Sequence, residues 1–248
     1  MTPRAVTRGA GVRKPRRREP SPKAITKRVI AALERVYGRP WLGKRKDPLS
    51  ELIFTILSQS TTDLNRDRAW ESLHREFGSW EEVAGAPRAR LERAIRVGGL
   101  APTKSRVIRE VLARVRKEEG SYSLDRLRGL SAAEVESHLL RFKGVGLKTI
   151  RCVQVFSLGQ PAFPVDTHIY RITRRLGLVG PKASPETAHE VMQSLTPAEE
   201  VLPFHLNLIA HGRRVCKAGR PLCASCVLVR LCAHGRSALK GSRQTEEK

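Results

Sequence analysis

The chain has 248 residues (27.7 kDa), and 47 lysines and arginines against 24 acids leave a net charge of +23 at neutral pH. A hydrophobic fraction of 40% is enough for one or two domains with real cores, while no run nears the ~20 apolar residues of a membrane span and no apolar signal block follows the basic start. Five cysteines are too few and too bunched for a disulfide scaffold, which points to a reducing cytoplasm, and an isoelectric point near 10.9 calls for a polyanionic partner, nucleic acid ahead of anionic lipid.

Residues 1–23 hold eight basic groups and one acid, with prolines and almost no large apolar side chains, and are expected to form a disordered arm. From there the period is helical. Ile25, Val29, Leu33 and Val36 form one stripe, stopped by Gly38 and Pro40. Asp47-Pro48 opens the next helix, which buries Leu49, Ile53, Ile56 and Leu57. Asp63 is expected to cap a helix whose stripe is Ala69, Trp70, Leu73 and Phe77. Ser79-x-x-Glu82 and Ser131-x-x-Glu134 have the form of capping boxes. Val107, Ile108, Val111, Leu112 and Val115 make another stripe, and Ser184-Pro185 and Thr196-Pro197 each place a cap before a proline to begin two more helices. Alternating strand patterns are absent, so the expectation is an all-α protein of about ten short helices.

Chemistry concentrates in three places. Cys216, Cys223, Cys226 and Cys232 fall within 17 residues, spaced C-x6-C-x2-C-x5-C, and four thiolates so close point to a closed four-ligand metal site. A zinc ribbon usually offers two C-x2-C knuckles and only one is present, so the spacing favours iron–sulfur over zinc. Cys152 stands apart on an apolar stripe and reads as a core residue. Lys217 and Arg220, in the loop between the first two ligands, are placed to neutralise an anionic cluster, to touch phosphates, or both.

The second place is Phe142-Lys143-Gly144-Val145-Gly146-Leu147-Lys148-Thr149. Glycines flanking Val145 permit a tight reversal between two helices, and amides at the second helix's start offer an anion-binding concavity beside Lys143. Lys148 lies in that helix's first turn, where the dipole disfavours a cation and so favours the neutral amine that attacks carbon electrophiles. From chemistry alone, however, a surface or phosphate-contacting lysine is the commoner case. The third is Val165-Asp166-Thr167-His168, where Asp166 either caps the helix beginning at Thr167, faces a cleft to stabilise a developing sugar cation, or does both.

Three segments, FKGVGLKT at 142–149, VDTHIYR at 165–171 and HGRRVCKAGRPLCASCVLVRLC at 211–232, together resemble the endonuclease III family of helix-hairpin-helix DNA glycosylases. The resemblance runs from about residue 24 to 235. It implies a two-lobed helical fold: a six-helix domain over 41–160 containing the hairpin, and a cluster domain from 24–40 plus 161–235, leaving 236–248 as a flexible tail. It further implies a [4Fe-4S] cluster on Cys216, Cys223, Cys226 and Cys232. Lys148 would be the nucleophile and Asp166 its partner carboxylate, and phosphate contacts would come from Lys143, Gly144, Val145 and Gly146. Leu100, after Gly98-Gly99, resembles the wedge against the opposite base.

Two departures stand out. The family hairpin begins Leu-Pro where this chain has Phe142-Lys143. The family's gap-filling glutamine aligns with Ser60, while the glutamine here is Gln59, one place earlier. The function implied is a cytoplasmic, nucleoid-associated, monomeric base-excision enzyme that acts on duplex DNA with a damaged base or abasic site. It would remove oxidised pyrimidines and nick 3′ to the abasic site through a lysine Schiff base. The alternatives are a thymine or uracil mismatch glycosylase, mainly an abasic-site lyase of the same fold, or a non-catalytic DNA-binding protein.

Overall fold

A capping side chain followed by proline starts the first two helices. In the computed structural model, which describes residues 20–41 and 43–246, Ser21 and Asp47 stand in extended backbone. Their side chains accept from the amides of Ala24 and Ser50, opening α1 (Pro22–Tyr37) and α2 (Pro48–Leu57). Each such cap contributes about 1 kcal/mol. Next come α3 (Asp63–Glu76), α4 (Trp80–Gly85), α5 (Arg88–Ala94), α6 (Ala101–Glu119) and α7 (Ala132–Leu140). The short α8 (Leu147–Cys152) runs directly into a π-helical stretch, Val153–Leu158, that ends at Gly159. The chain closes with α9 (Thr167–Leu176), α10 (Pro185–Leu195), α11 (Val201–Arg214) and α12 (Ala233–Glu246). The fold is all-α, with no strand among the described residues.

Several local expectations are corrected. Thr62, not Asp63, caps α3, its hydroxyl accepting from the Asn65 amide, and Asp63 becomes the first helical residue. The Ser131–Glu134 box is reciprocal, but at Ser79 only half of it forms, because the Glu82 carboxylate accepts from Gly78 N (3.0 Å) instead of the Ser79 amide. Thr196-Pro197 leads into a single 3-10 turn, Ala198–Glu200, before α11 starts without a side-chain cap. Val36 is exposed; Thr26, Val29, Ile30 and Leu33 form the buried face of α1. Residues 236–246, expected as a flexible tail, continue α12, where alanine, leucine, lysine, arginine and glutamine are all good helix formers. Of the expected basic arm, 1–19 lie outside the described residues, and Pro22 and Lys23 already belong to α1.

Buried apolar side chains fall into two clusters. One is built from α2 to α8, between Leu49 and Val153; the other joins α1 to the chain from Val155 to Leu228. The switch falls between Val153 and Val155, inside the continuous α8–π helix, so one rigid element is shared by both cores. The linker before α2 is tied to that element as well: Arg45 Nη1 donates to Val155 O (2.8 Å) and Ser157 Oγ to Lys46 O (2.8 Å). What lies across this seam is therefore held in fixed register.

Candidate active site

The turn between α7 and α8 needs one left-handed residue, and Gly144 supplies it (φ +84°). A Cβ there would sit 2.9 Å from a Val107 methyl, so backbone and α6 make a close approach only glycine allows. Gly146 is extended and caps α8. Val145 is buried beneath the turn, whereas Lys143, Gly144 and Gly146 are exposed. Lys148 follows as the second residue of α8, with Cys152 one turn on, and both line the same cleft. Cys152 is buried, as the apolar stripe predicts, and burial pushes its thiol up to about 11, so it faces the amine as a neutral thiol.

Asp166 enters from the other core. Its Oδ1 accepts from Ile169 N (2.8 Å), capping α9, while the residue also lines a cleft of about 850 Å³ that Lys148 borders from the opposite side. Both readings of Asp166, cap and cleft carboxylate, thus hold together. The segment presenting it is pinned from two helices. Gln193 accepts from Phe163 N and donates to Pro161 O, both at 2.7 Å. His205 Nδ1 contacts Pro164 O (3.0 Å); a carbonyl can only accept, so Nδ1 carries the proton. Burial pulls His205 down to about 4 against the opposing pull of Asp166, so the ring is neutral.

Gln59 and Ser60 line the same cleft at the end of α2. Ser60 is left-handed (φ 50°), and so is Leu100 (φ 50°), which precedes α6 and is 55% exposed. These are the only non-glycine residues with positive φ among the described residues, a conformation that costs roughly 1–2 kcal/mol each. The two turns share one tie. Lys104 of α6 is buried, and its amine donates to Leu57 O (2.7 Å) and Gly98 O (2.8 Å), just before each tip.

Across the cleft Arg213 of α11 pairs with Asp63 of α3, joining the two cores. His168, at the cleft wall, packs closely against Gly212, where a Cβ would come within 2.8 Å of it. The structure therefore gathers Lys148, Asp166, Gln59 and Ser60 in one cleft. Leu100, Lys143, Gly144, Val145, Gly146, Lys217 and Arg220 stand outside its lining.

Cys216, Cys223, Cys226 and Cys232 converge on one cavity between α9 and α12. Burial raises the thiols of Cys226 and Cys232, and charge on the other cysteines raises them further. Around the sulfurs are N–H groups suited to thiolates: Arg175 Nη1 lies 3.3 Å from Cys216 Sγ and Gly235 N 3.3 Å from Cys232 Sγ. The donor set, four soft sulfurs facing inward with hydrogen-bond donors behind them, fits a thiolate-ligated cluster. Arg171 connects this loop to the cleft: it sits one turn beyond Asp166 on α9 and donates to Cys216 O and Gly212 O, both at 3.0 Å.

Residues 53–198 match the model of the HhH-GPD superfamily base excision DNA repair protein family. The chain is 33% identical to endonuclease III of Thermotoga maritima over 80% of this chain and 88% of that one. The chain belongs to the endonuclease III family. A putative DNA glycosylase of Arabidopsis thaliana is 41% identical over 72% of this chain, which spans 58% of that relative's length. Among solved structures, a trapped endonuclease III–DNA covalent intermediate superposes with a TM-score of 0.76 at 27% identity, covering 88% of this chain and 98% of the other. A thermostable thymine-DNA glycosylase, at 21% identity and a TM-score of 0.72, shares the fold.

Sequence reasoning missed Glu51, Lys104 and the Arg213–Asp63 pair. Glu51 and Lys104 had a signal: each is a charge at a helical position whose neighbours are core, Glu51 between Leu49 and Ile53 and Lys104 a turn before Val107. The ion pair had none, since its members lie 150 residues apart.

Proposed function

We propose that the chain is a bifunctional DNA glycosylase and abasic-site lyase acting on oxidised pyrimidines in duplex DNA. The observation that carries this reading is an amine, Lys148, and a carboxylate, Asp166, facing one cleft from separate cores. The covalent endonuclease III–DNA intermediate among the structural relatives lends it support.

A sugar carbon inside the stack is out of reach, so the nucleotide must be extruded into the cleft. Gln59 or Ser60 would fill the vacated space and Leu100 would press on the opposite base; Lys143 and the amides from Gly144 to Gly146 would hold a phosphate, with Lys217 and Arg220 adding contacts. Lys148 attacks the anomeric carbon as the base departs, Asp166 stabilises the cationic sugar, and the opened sugar is held as a Schiff base. β-Elimination then breaks the strand on the 3′ side. Cys216, Cys223, Cys226 and Cys232 would hold a [4Fe-4S] cluster, whose bonds would cross-link the loop that Arg171 ties to α9. We read the chain as a 41–160 domain and a cluster domain; two separate cores support the division, with Val155 of the first segment packing in the second core.

Borohydride reduction on an abasic or thymine-glycol duplex tests the proposal. A covalent protein–DNA adduct in the wild type that disappears in Lys148→Ala is expected; tight binding with no wild-type adduct would refute it and leave a DNA-binding module.

A further inference from the structure

One more acid reaches the cleft, and the reaction as described leaves it idle. Glu51 sits in the first turn of α2, a helix packed on α8, and lines the cleft with Lys148, Cys152 and Asp166 while only 6% exposed. Thr55, one turn on, donates its hydroxyl to Glu51 Oε1 (3.2 Å) and holds the carboxyl on the cleft side of the helix. Three cations act on it from three directions: Lys46 ahead of α2, Arg66 on α3 and Lys148 on α8. The thiol of Cys152 completes the group, within reach of the charges of Lys148, Glu51 and Asp166. Asp63, His168, Tyr170, His205 and Arg213 complete the charged and titratable wall of the cleft.

An apolar residue would fill this helix position without cost, as Leu52 and Ile53 do beside it. An acid kept there beside an amine that must shed a proton has a task that matches its placement. We propose that Glu51 is the proton acceptor that frees the Lys148 amine for attack. The proton passes from the Lys148 ammonium Nζ to a Glu51 carboxylate oxygen. The Nζ lone pair then forms the bond to the anomeric carbon, the bond from that carbon to the base breaks, and the electron pair leaves on the base, which solvent protonates. At an existing abasic site the same neutral amine adds to the sugar aldehyde and water is lost. Burial, outweighing the three cations, moves the Glu51 carboxyl from 4.5 to about 7, so near neutrality it takes up and releases a proton readily.

The proposal rests on the reading of Lys148 as nucleophile, and the test separates the two. The rate of borohydride trapping is measured on a preformed abasic duplex across about pH 5.5 to 9.5, for the wild type, Glu51→Gln and Glu51→Asp, with DNA affinity and melting temperature followed in parallel. The wild-type rate should climb through about pH 7 and level off. Glu51→Gln should lose that plateau, fall on the order of 100-fold behind near neutrality and recover as pH rises, with affinity unchanged. Glu51→Asp, a shorter carboxylate, should keep the plateau at a lower rate. Superimposable profiles for wild type and Glu51→Gln, or a loss in Glu51→Gln that is the same at every pH, would overturn the role of Glu51 while leaving Lys148 in place. Absence of any wild-type adduct would overturn both.

Discussion

Replacing Glu51 by glutamine removes a buried titratable group and keeps its shape, including an acceptor oxygen for the Thr55 hydroxyl. The carboxyl moves from 4.5 to about 7 in the fold because burial penalises its charged form. Below pH 4.5 the group is neutral in folded and unfolded chains alike, and it has no effect on stability. Between 4.5 and about 7 only the unfolded chain ionises, and above that the penalty is complete. At about 1.4 kcal/mol per pH unit, the full penalty is about 3 kcal/mol. Glu51→Gln should therefore melt with the wild type at pH 4.5 and above it at pH 8.5, by roughly 6–12 °C for a chain of this length. Thermal unfolding followed by circular dichroism at the two pH values is the assay. An equal shift at both, or a variant that melts lower at pH 8.5, would show that the carboxylate is stabilised in the cleft and that the reasoning from burial is wrong.

Asp166→Asn separates two roles in one residue. Asparagine caps as well as aspartate, so the melting temperature should change by less than about 2 °C, while base release should fall by at least ~100-fold with DNA affinity retained; an unchanged single-turnover rate would return Asp166 to the role of cap alone. Lys104→Met leaves two carbonyls, Leu57 O and Gly98 O, without their shared donor. That should cost about 2–4 kcal/mol and, at temperatures where the variant is folded, slow base removal from duplex more than cleavage at a preformed abasic site. Equal losses on the two substrates would argue against a tie between the two turns.

Helix starts were legible because a capping side chain followed by proline leaves little choice, as at Asp47-Pro48 and Ser184-Pro185. They failed where two polar residues competed, as at Thr62 and Asp63, since either could accept a first-turn amide and only the backbone decides. In the cleft, Lys148 and Asp166 were legible through motif and position, and the four cysteines through spacing alone. The πhelical continuation of α8 carried no signal, because its apolar side chains suit several helical geometries, and it is this continuation that lets one element serve both cores. Ser60 and Leu100 could be placed by alignment, but their shared left-handed backbone could not; neither residue type favours it, and the surroundings impose it.

That imposition links the unusual features of the site. A left-handed serine and leucine and a carboxyl buried in the cleft all disfavour folding; Ser60 and Glu51 line the cleft itself, and Lys104 ties the turn of Ser60 to that of Leu100. Each is also held by rigid structure: Lys104 by α6, Glu51 by α2 packed on α8, Asp166 by the segment pinned through Gln193 and His205. A chain selected for stability alone would place an apolar residue at 51 and glycine at 60 and 100. On the proposed function, the retained cost falls where a loop would enter DNA or a proton would move, as expected where strain and buried charge serve a reaction. The cysteine loop is tied to the same site: Arg171 joins it to α9 through the carbonyls of Cys216 and Gly212, and Asp166 stands at the start of that helix.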